Sequence, residues 1–317
     1  MLVVSLAAPE AFDDEALLFG VGYFLVRALH IVLYAIASRG NPDLRGAVVR
    51  LAGPMLGSGL VLIVAAFTDG TLQGALWAAA LVVDFGGVMV GGMEGWSVSP
   101  GHFAERHGLI VIIALGESIV AVGVGASGLD IDAGVVAATV LGVGVAAALW
   151  WAYFDVVAPV AERRLRRATG VERAALARDS YSFLHLPMVA GIVLIALGIK
   201  KTLGDVDGHL ETIPALGLCG GVSLYLLGHV LFRLRNVHTL NRQRLVVLIA
   251  VAAFTPVATR MPALAALGSV FAVCAGLIAY EAIRFAEARD RIRHAPEGEA
   301  AAAEAAAAEA AMAPGPR

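Results

Sequence analysis

Long runs of apolar residues constrain this chain more than any other feature of its sequence. Most runs are close to 20 residues, the length at which a helix rising about 1.5 Å per residue crosses the roughly 30 Å hydrocarbon core of a bilayer. Lipid offers no hydrogen-bond partner to the backbone, and the runs lack the alternating pattern of a barrel strand. The sequence therefore predicts an all-α, polytopic transmembrane helix bundle.

The apolar runs predict nine full spans, preceded by one partial span at the N-terminus. The runs lie at 1–8 (the partial span), 17–37, 48–67, 73–92, 107–125, 134–156, 181–199, 213–233, 244–259 and 263–284. Hydrophobic residues make up 59% of the chain and charged residues only 15%, which excludes a water-soluble domain of this length. The bilayer is the expected partner, and nothing in the sequence suggests a nucleic-acid partner or a cofactor. Cys219 and Cys274 fall inside spans and are interpreted as apolar packing residues.

Arginine is distributed unevenly between the two sets of connections that alternate along the chain. One set holds Arg39, Arg45, Arg50, Arg106, Arg163, Arg164, Arg166, Arg167, Arg173, Arg178, Arg233, Arg235, Arg242, Arg244, Arg284, Arg289, Arg291 and Arg293, whereas the other holds only Lys200, Lys201 and Arg260. Positive charge near span ends marks the cytoplasmic side of an inner-membrane protein. We therefore expect a cytoplasmic C-terminus, with a disordered Ala/Glu-rich tail at 291–317. The basic segment 162–178 is interpreted as a loop that anchors this orientation, with contact to anionic lipid as the alternative.

A weak internal repeat relates the two ends of the chain. A shift of 199 residues places His30 on His229 and Arg45 on Arg244, and after a two-residue gap Asp84 falls on Glu281. The order of spans agrees with a parallel duplication, a common device in transporters. The pattern predicts a remnant of a first repeat at 1–92 and a second repeat at 93–290, so the chain is expected to begin inside a longer repeat.

Among the ionisable residues inside the predicted spans, five are candidates for a functional site, because a charged group there costs about 2.5–3.5 kcal/mol or more. They are Arg27, His30, Asp84, Glu117 and His229. Arginine does not lose its charge, so Arg27 is expected to pair with Glu117 or Asp84. One interpretation is a set of structural ion pairs that fix helix register. The other is a pathway for an ion or proton, with the five side chains converging on one central site.

A polar stretch and several spaced glycines stand out beside these residues. His102, Glu105 and His107 have the composition of a metal site, but their spacing matches no standard zinc pattern, and no metal is predicted. Glycines at Gly53/Gly57 and Gly87/Gly91 have the spacing of faces that let transmembrane helices approach closely.

Four segments resemble the bacterial low temperature requirement protein A family. They are His102-Phe103-Ala104-Glu105-Arg106-His107-Gly108-Leu109 continuing to Leu115-Gly116-Glu117-Ser118, Arg27-Ala28-Leu29-His30, Trp150-Trp151-Ala152-Tyr153-Phe154-Asp155, and Ser182-Phe183-Leu184-His185-Leu186-Pro187. The residues that carry the family signature are His102, Glu105, Arg106, His107, Gly116, Asp155 and His185. Family members usually open with an acidic helix that this chain lacks. The resemblance implies a multi-pass membrane protein linked to growth in the cold, without an established biochemical activity.

Together these features predict a transporter-like protein that moves a small solute or ion, coupled to protons. A membrane-embedded enzyme acting on lipid through His102, Glu105 and His107 is one alternative. A non-catalytic membrane adaptation factor is the other. No convincing nucleophile, metal site or donor-binding motif favours the enzyme.

Reporter fusions test the predicted orientation. Because the arginines mark the inside, fusions after Arg45, Arg167 and Arg242 are expected to report the cytoplasm, and fusions near Asp69 and Asp130 the exterior. A cytoplasmic signal at Asp130 would contradict the span assignment.

Overall fold

The computed structural model describes residues 1–287 and 289–290, and these are helical almost throughout, with no strand among them. The helices are α1 (Leu2–Ala7), α2 (Ala16–Ala37), α3 (Pro42–Ala65), α4 (Gly70–Val90), α5 (Pro100–Ala126), α6 (Ala133–Phe154), α7 (Val157–Arg167), α8 (Gly170–Leu176), α9 (His185–Gly204), α10 (Thr212–Ala215), α11 (Gly221–Val237), α12 (Arg242–Ala258) and α13 (Ala263–Arg284). A π-helical segment, Ala177–Phe183, joins α8 to α9, and another, Leu216–Gly220, joins α10 to α11. The predicted all-α membrane bundle is confirmed. The tail predicted at 291–317 lies outside the described residues.

Eight helical stretches in the described part are long and apolar enough to cross a membrane. They are Ala16–Ala37, Pro42–Ala65, Gly70–Val90, Pro100–Ala126, Ala133–Arg167, Gly170–Gly204, Thr212–Val237 and Ala263–Arg284. The span predicted at 244–259 is helical as α12, whose 17 residues lie at the short end of the range for a membrane span, and it is not among these eight.

The basic segment 162–178, expected to be a loop, is largely helical, and this expectation was wrong. Helix α7 carries Ala161 and Leu165 four residues apart, so both fall on one face, and both are buried. Arg163, Arg164, Arg166 and Arg167 flank Leu165 at non-buried positions, which makes α7 an amphipathic helix. The high density of arginine suggested a solvated connection because the two buried positions provide too little apolar signal in a segment of 11 residues.

The chain divides into two compact units. Unit 1 comprises Met1–Val98 with Thr169–Ala175, and unit 2 comprises Ser99–Ala168 with the described residues from Leu176 onward. In unit 1, α3 packs between α2 and α4, and α1 lies against α2. Glycine permits the closest approach, since a side chain added at Gly87 would overlap the ring of Pro54.

Helix α9 is the central helix of unit 2, where it packs against α5 and α11. One side of α9 is fully buried, through Met188, Ile192, Ile195 and Ile199. Its backbone approaches α11 closely, because a Cβ at Gly191 would lie 2.6 Å from the Gly221 carbonyl oxygen. Helix α6 packs against α13.

Several helix ends meet at one end of unit 2. Helix α11 ends with His238 in a left-handed conformation (φ 57°), which turns the chain toward α12. Asn241 then caps α12, its Oδ1 accepting from the Arg244 backbone N–H at 3.2 Å. This tight connection brings the polar start of α12 beside the ends of α6, α11 and α13, and it forms the setting of the candidate site.

The contact between α4 and α3 predicts different effects for two adjacent glycines. Gly87→Ala would overlap Pro54 and should destabilise the protein by about 1–3 kcal/mol through overpacking. Gly86→Ala is the matched control, because a Cβ there has no atom within 4 Å. Thermal unfolding in detergent compares the two variants. Equal stability would show that α3 and α4 do not pack through Gly87.

Candidate functional site

A cavity of about 300 Å³ lies inside unit 2, between the ends of α6, α7, α11 and α13 and the start of α12. We call it the unit 2 cavity. Its polar lining is Asp155, His229, Arg233, Asn236, Asn241, Arg244, Glu281 and Arg289. Its apolar lining is Trp151, Ala152, Val156, Val157, Val160, Ala161, Phe232, Val237, Ile278 and Phe285. This size is near the lower end for small-molecule sites, about 300–1,000 Å³.

A buried ion pair between Arg244 and Glu281 forms one wall of the cavity. The guanidinium donates from Nε to Glu281 Oε1 at 2.9 Å and from Nη2 to Oε2 at 2.7 Å, which is the bidentate geometry of strong pairs. The two side chains are only 6% and 14% exposed. Nη2 also donates to the Ala152 carbonyl at 3.2 Å, and Asn241 Nδ2 donates to Oε1 at 3.3 Å. The charges of this pair are therefore well compensated.

His229 is tied to the same arginine and keeps one ring nitrogen without a partner. Arg244 Nη1 donates to His229 Nδ1 at 2.7 Å, so Nδ1 is the acceptor and the neutral ring carries its proton on Nε2. Nε2 is buried and makes no hydrogen bond within the described part of the chain. Asn236 has a comparable group, since its Nδ2 donates to the Phe232 carbonyl at 2.8 Å but its buried Oδ1 has no such partner. The lining thus offers one unused donor and one unused acceptor.

A second ion pair stands on another side of the cavity. Arg289 Nη2 lies 2.6 Å from Asp155 Oδ2, with side chains 11% and 8% exposed. The guanidinium also lies 5.8 Å from the ring centroid of Trp151, within cation–π distance. Arg233 is exposed at the rim, where its Nε donates to Thr239 Oγ1 at 3.0 Å.

Next to the cavity lies a buried cluster of histidine and tyrosine side chains. Tyr153 donates to His185 Nε2 at 2.7 Å, and His185 Nδ1 donates to the Ser180 carbonyl at 3.1 Å, which assigns a neutral tautomer. The rings of Tyr181 and His185 stack at 5.4 Å. The His107 ring lies 5.1 Å from that of His185. The predicted signature residues His107 and His185 therefore belong to one cluster, together with tyrosines that the sequence analysis did not select.

In unit 1, the predicted polar residues form a separate cluster. Arg27 forms an ion pair with Asp84, one of the two partners that the sequence left open. Arg27 Nε also donates to Tyr23 Oη at 2.9 Å, and Tyr23 donates to Asp84 at 3.0 Å. His30 is exposed on α2. The contacts join Arg27 to Asp84 and His229 to Arg244. A common centre for all five predicted residues stays a prediction.

The remaining predicted residues lie along α5. Glu117 is exposed near the middle of the helix, and a Cβ at Gly116 would meet no atom within 4 Å. His102 and Glu105 are exposed and 3.8 Å apart, and Arg106 Nε donates to His102 Nε2 at 3.0 Å. His107 instead donates from Nδ1 to the Phe103 carbonyl at 2.9 Å and faces the buried cluster.

Sequence reasoning missed the ion pairs that define the cavity. Arg244 and Arg289 were counted as orientation-setting charges, and Glu281 was noted only as the repeat counterpart of Asp84. The usable signal was Glu281 itself, because a carboxylate near the end of an apolar run needs a partner. The repeat already placed Arg244 among the matched positions.

Removal of either member of the Arg244–Glu281 pair should strongly destabilise the protein. Glu281→Gln strands a buried guanidinium and is expected to cost about 3–5 kcal/mol, whereas Arg244→Met with Glu281→Leu should recover most of that loss. Glu105→Gln, at a side chain 70% exposed, is the control and should have almost no effect. Unfolding of the purified variants in detergent measures all three. A Glu281→Gln variant as stable as the control would refute the assigned pair.

Comparison with known proteins places the chain in a family. The model of the family described as bacterial low temperature requirement A protein (LtrA) matches residues 1–279. An uncharacterised protein of Rhizobium meliloti (strain 1021) is 30% identical over 244 residues, which cover 72% of this chain and 58% of that relative. The chain thus corresponds to somewhat more than half of that relative's length. No solved structure matches the chain. With the match to the family model spanning nearly all of its apolar helices, the chain is a multi-pass membrane protein of the bacterial low temperature requirement A family.

Proposed function

We propose that this protein is a transporter that binds a small solute in the unit 2 cavity and moves it across the inner membrane, coupled to protons. The observation that carries the proposal is that two residues of the cavity lining, His229 and Asn236, each hold a buried polar atom, Nε2 and Oδ1, without a hydrogen-bond partner in the described part of the chain. In the orientation that the arginines predict, the cavity lies toward the cytoplasmic side.

The unused groups support binding because a buried donor or acceptor without a partner costs about 1–3 kcal/mol. His229 is 1% exposed and Asn236 is 4% exposed, so bulk water does not offset that cost. A solute that enters the cavity and bonds to either group recovers part of this free energy. The cavity thus has the volume of a small-molecule site and polar groups that gain from an occupant.

The arrangement around Arg244 supports coupling to protons. His229 accepts from Arg244 at Nδ1, so protonation of that nitrogen requires the contact with the guanidinium to break. Protonation of Glu281 would likewise weaken its bidentate bond to Arg244. Either event changes the contacts among α11, α12 and α13, and a proton can therefore shift the balance between two arrangements of these helices.

The alternative of an enzyme acting on lipid has less geometric support. His102 and Glu105 are exposed side by side, whereas His107 is bonded to the Phe103 carbonyl and packs on Tyr181. The three side chains that the enzyme hypothesis required therefore face different surroundings. An adaptation factor without transport does not account for the unused polar groups of the cavity.

Access to the cavity from both sides of the membrane tests the proposal without knowledge of the solute. We expect Ile278→Cys, in a chain carrying Cys219→Ala and Cys274→Ala, to react with an impermeant thiol reagent in both right-side-out and inside-out vesicles. A transporter opens its site alternately to each side, so both preparations should be labelled. Arg242→Cys, at the exposed start of α12 and outside the cavity, is the control and should react from one side only.

Labelling of Ile278→Cys from one face alone would contradict alternating access and favour a static protein. Proteoliposomes separate the enzyme from the transporter. Turnover of extracted lipids without flux of any solute would support the enzyme.

A further inference from the structure

The charges that line the unit 2 cavity do not cancel. Arg244 is bonded to Glu281, and Arg289 is bonded to Asp155. Arg233 is the remaining charged residue of the lining, and within the described part of the chain no carboxylate forms an ion pair with it. With His229 neutral, the described residues of the lining carry one positive charge in excess.

Arg233 is well placed to hold an anion together with His229. The two residues are four apart on α11, so they lie on the same face about one turn from each other, and both line the cavity. Arg233 uses its Nε for Thr239, which leaves its two terminal nitrogens available. A guanidinium matches the geometry of a carboxylate, and His229 Nε2–H adds a buried donor that has no partner.

A cation would meet a less favourable site. Both carboxylates of the lining already accept from a buried arginine, and a cation would have to displace Arg244 or Arg289 to reach one. Such a displacement strands a buried guanidinium, which is strongly unfavourable. The positive charge of Arg233 and the unpartnered N–H of His229 therefore both favour a negatively charged ligand.

The apolar walls of the cavity indicate which chemistry the part of the ligand beyond its charged group should have. Trp151, Phe232, Ile278 and Phe285 give it a mostly apolar surface. Burial of apolar ligand surface against such walls favours binding. A small inorganic anion would leave these walls without contacts.

We infer that the solute is a small organic monoanion with an apolar body, whose carboxylate binds between Arg233 and His229. This inference rests on the proposed function, since it names the solute class of the same cavity. A water-soluble aromatic or aliphatic acid and a fatty acid from the bilayer share this chemistry.

The first experiment measures thermal unfolding of the full-length protein in detergent with three probes of one shape. Benzoate, benzamide and benzylammonium share an aromatic ring and carry a charge of −1, 0 and +1. We expect benzoate to raise Tm in a saturable way at constant ionic strength, and the other two to have little effect. Arg233→Gln should weaken the apparent affinity for benzoate at least tenfold. Arg242→Gln removes the same charge outside the cavity and should leave that affinity unchanged.

A second arm distinguishes the two sources of the anion. The protein is placed in nanodiscs of phosphatidylcholine with or without palmitate in the bilayer, and benzoate is added from the buffer. Stabilisation by benzoate that depends on Arg233 identifies a soluble acid as the solute. Stabilisation by palmitate alone, again dependent on Arg233, identifies a membrane fatty acid.

Three outcomes would overturn the inference: stronger binding of benzamide or benzylammonium, benzoate binding that survives Arg233→Gln, or no Arg233-dependent stabilisation by benzoate or palmitate. None of these outcomes by itself contradicts the proposed function. If one of these outcomes occurs but Ile278→Cys is labelled from both faces, the transporter function is supported and only the assignment of an anion as the solute is wrong. One-sided labelling combined with Arg233-dependent binding of benzoate would contradict the transporter function and support an anion-binding site.

Discussion

A guanidinium buried at the end of a membrane bundle has to be neutralised in place, because arginine cannot release its proton under physiological conditions. Arg244 meets this constraint by contacts to three other helices, through Glu281 of α13, His229 of α11 and the Ala152 carbonyl of α6. These bonds fix the start of α12 against three neighbours. The cavity is the space that remains beside this junction, so its shape and its polar groups both depend on the Arg244–Glu281 pair.

The sequence was sufficient for eight of the nine predicted full spans, because the length of an apolar run is a local property that decides whether a helix can cross the bilayer. The sequence did not predict the cavity, because the direction in which a side chain at a helix end points depends on its tertiary contacts. An arginine at the end of a span gives the same local pattern whether it reaches the aqueous interface or turns inward. Arg244 turns inward to Glu281, whereas Arg242, two residues earlier, is exposed. His229 was selected because a histidine deep in an apolar run is conspicuous, but its bond to Arg244 has no local signal.

Each unit contains a carboxylate held by an arginine, but the arginine comes from a different helix. Asp84 of α4 pairs with Arg27 of α2, whereas Glu281 of α13 pairs with Arg244 of α12. Under the predicted duplication Asp84 and Glu281 are counterparts, yet the counterpart of Arg244 is Arg45, which is exposed. The charge of such a carboxylate can thus be neutralised by an arginine from either neighbouring helix, and the predicted duplication would require that the two repeats use different helices for this purpose.

Charge balance also bears on how the proposed transporter could work. A buried ion pair contributes little net stability compared with apolar packing, so two such pairs around one cavity are more readily explained by function than by folding. The described lining of the cavity has one excess positive charge, at Arg233, and a bound monoanion would cancel it. A net charge inside a helix bundle of low dielectric constant is energetically costly. The helices should therefore move more easily when a bound monoanion has neutralised the cavity. The buried pairs and the excess charge would then let the cavity change its exposure only when a bound monoanion balances its charge.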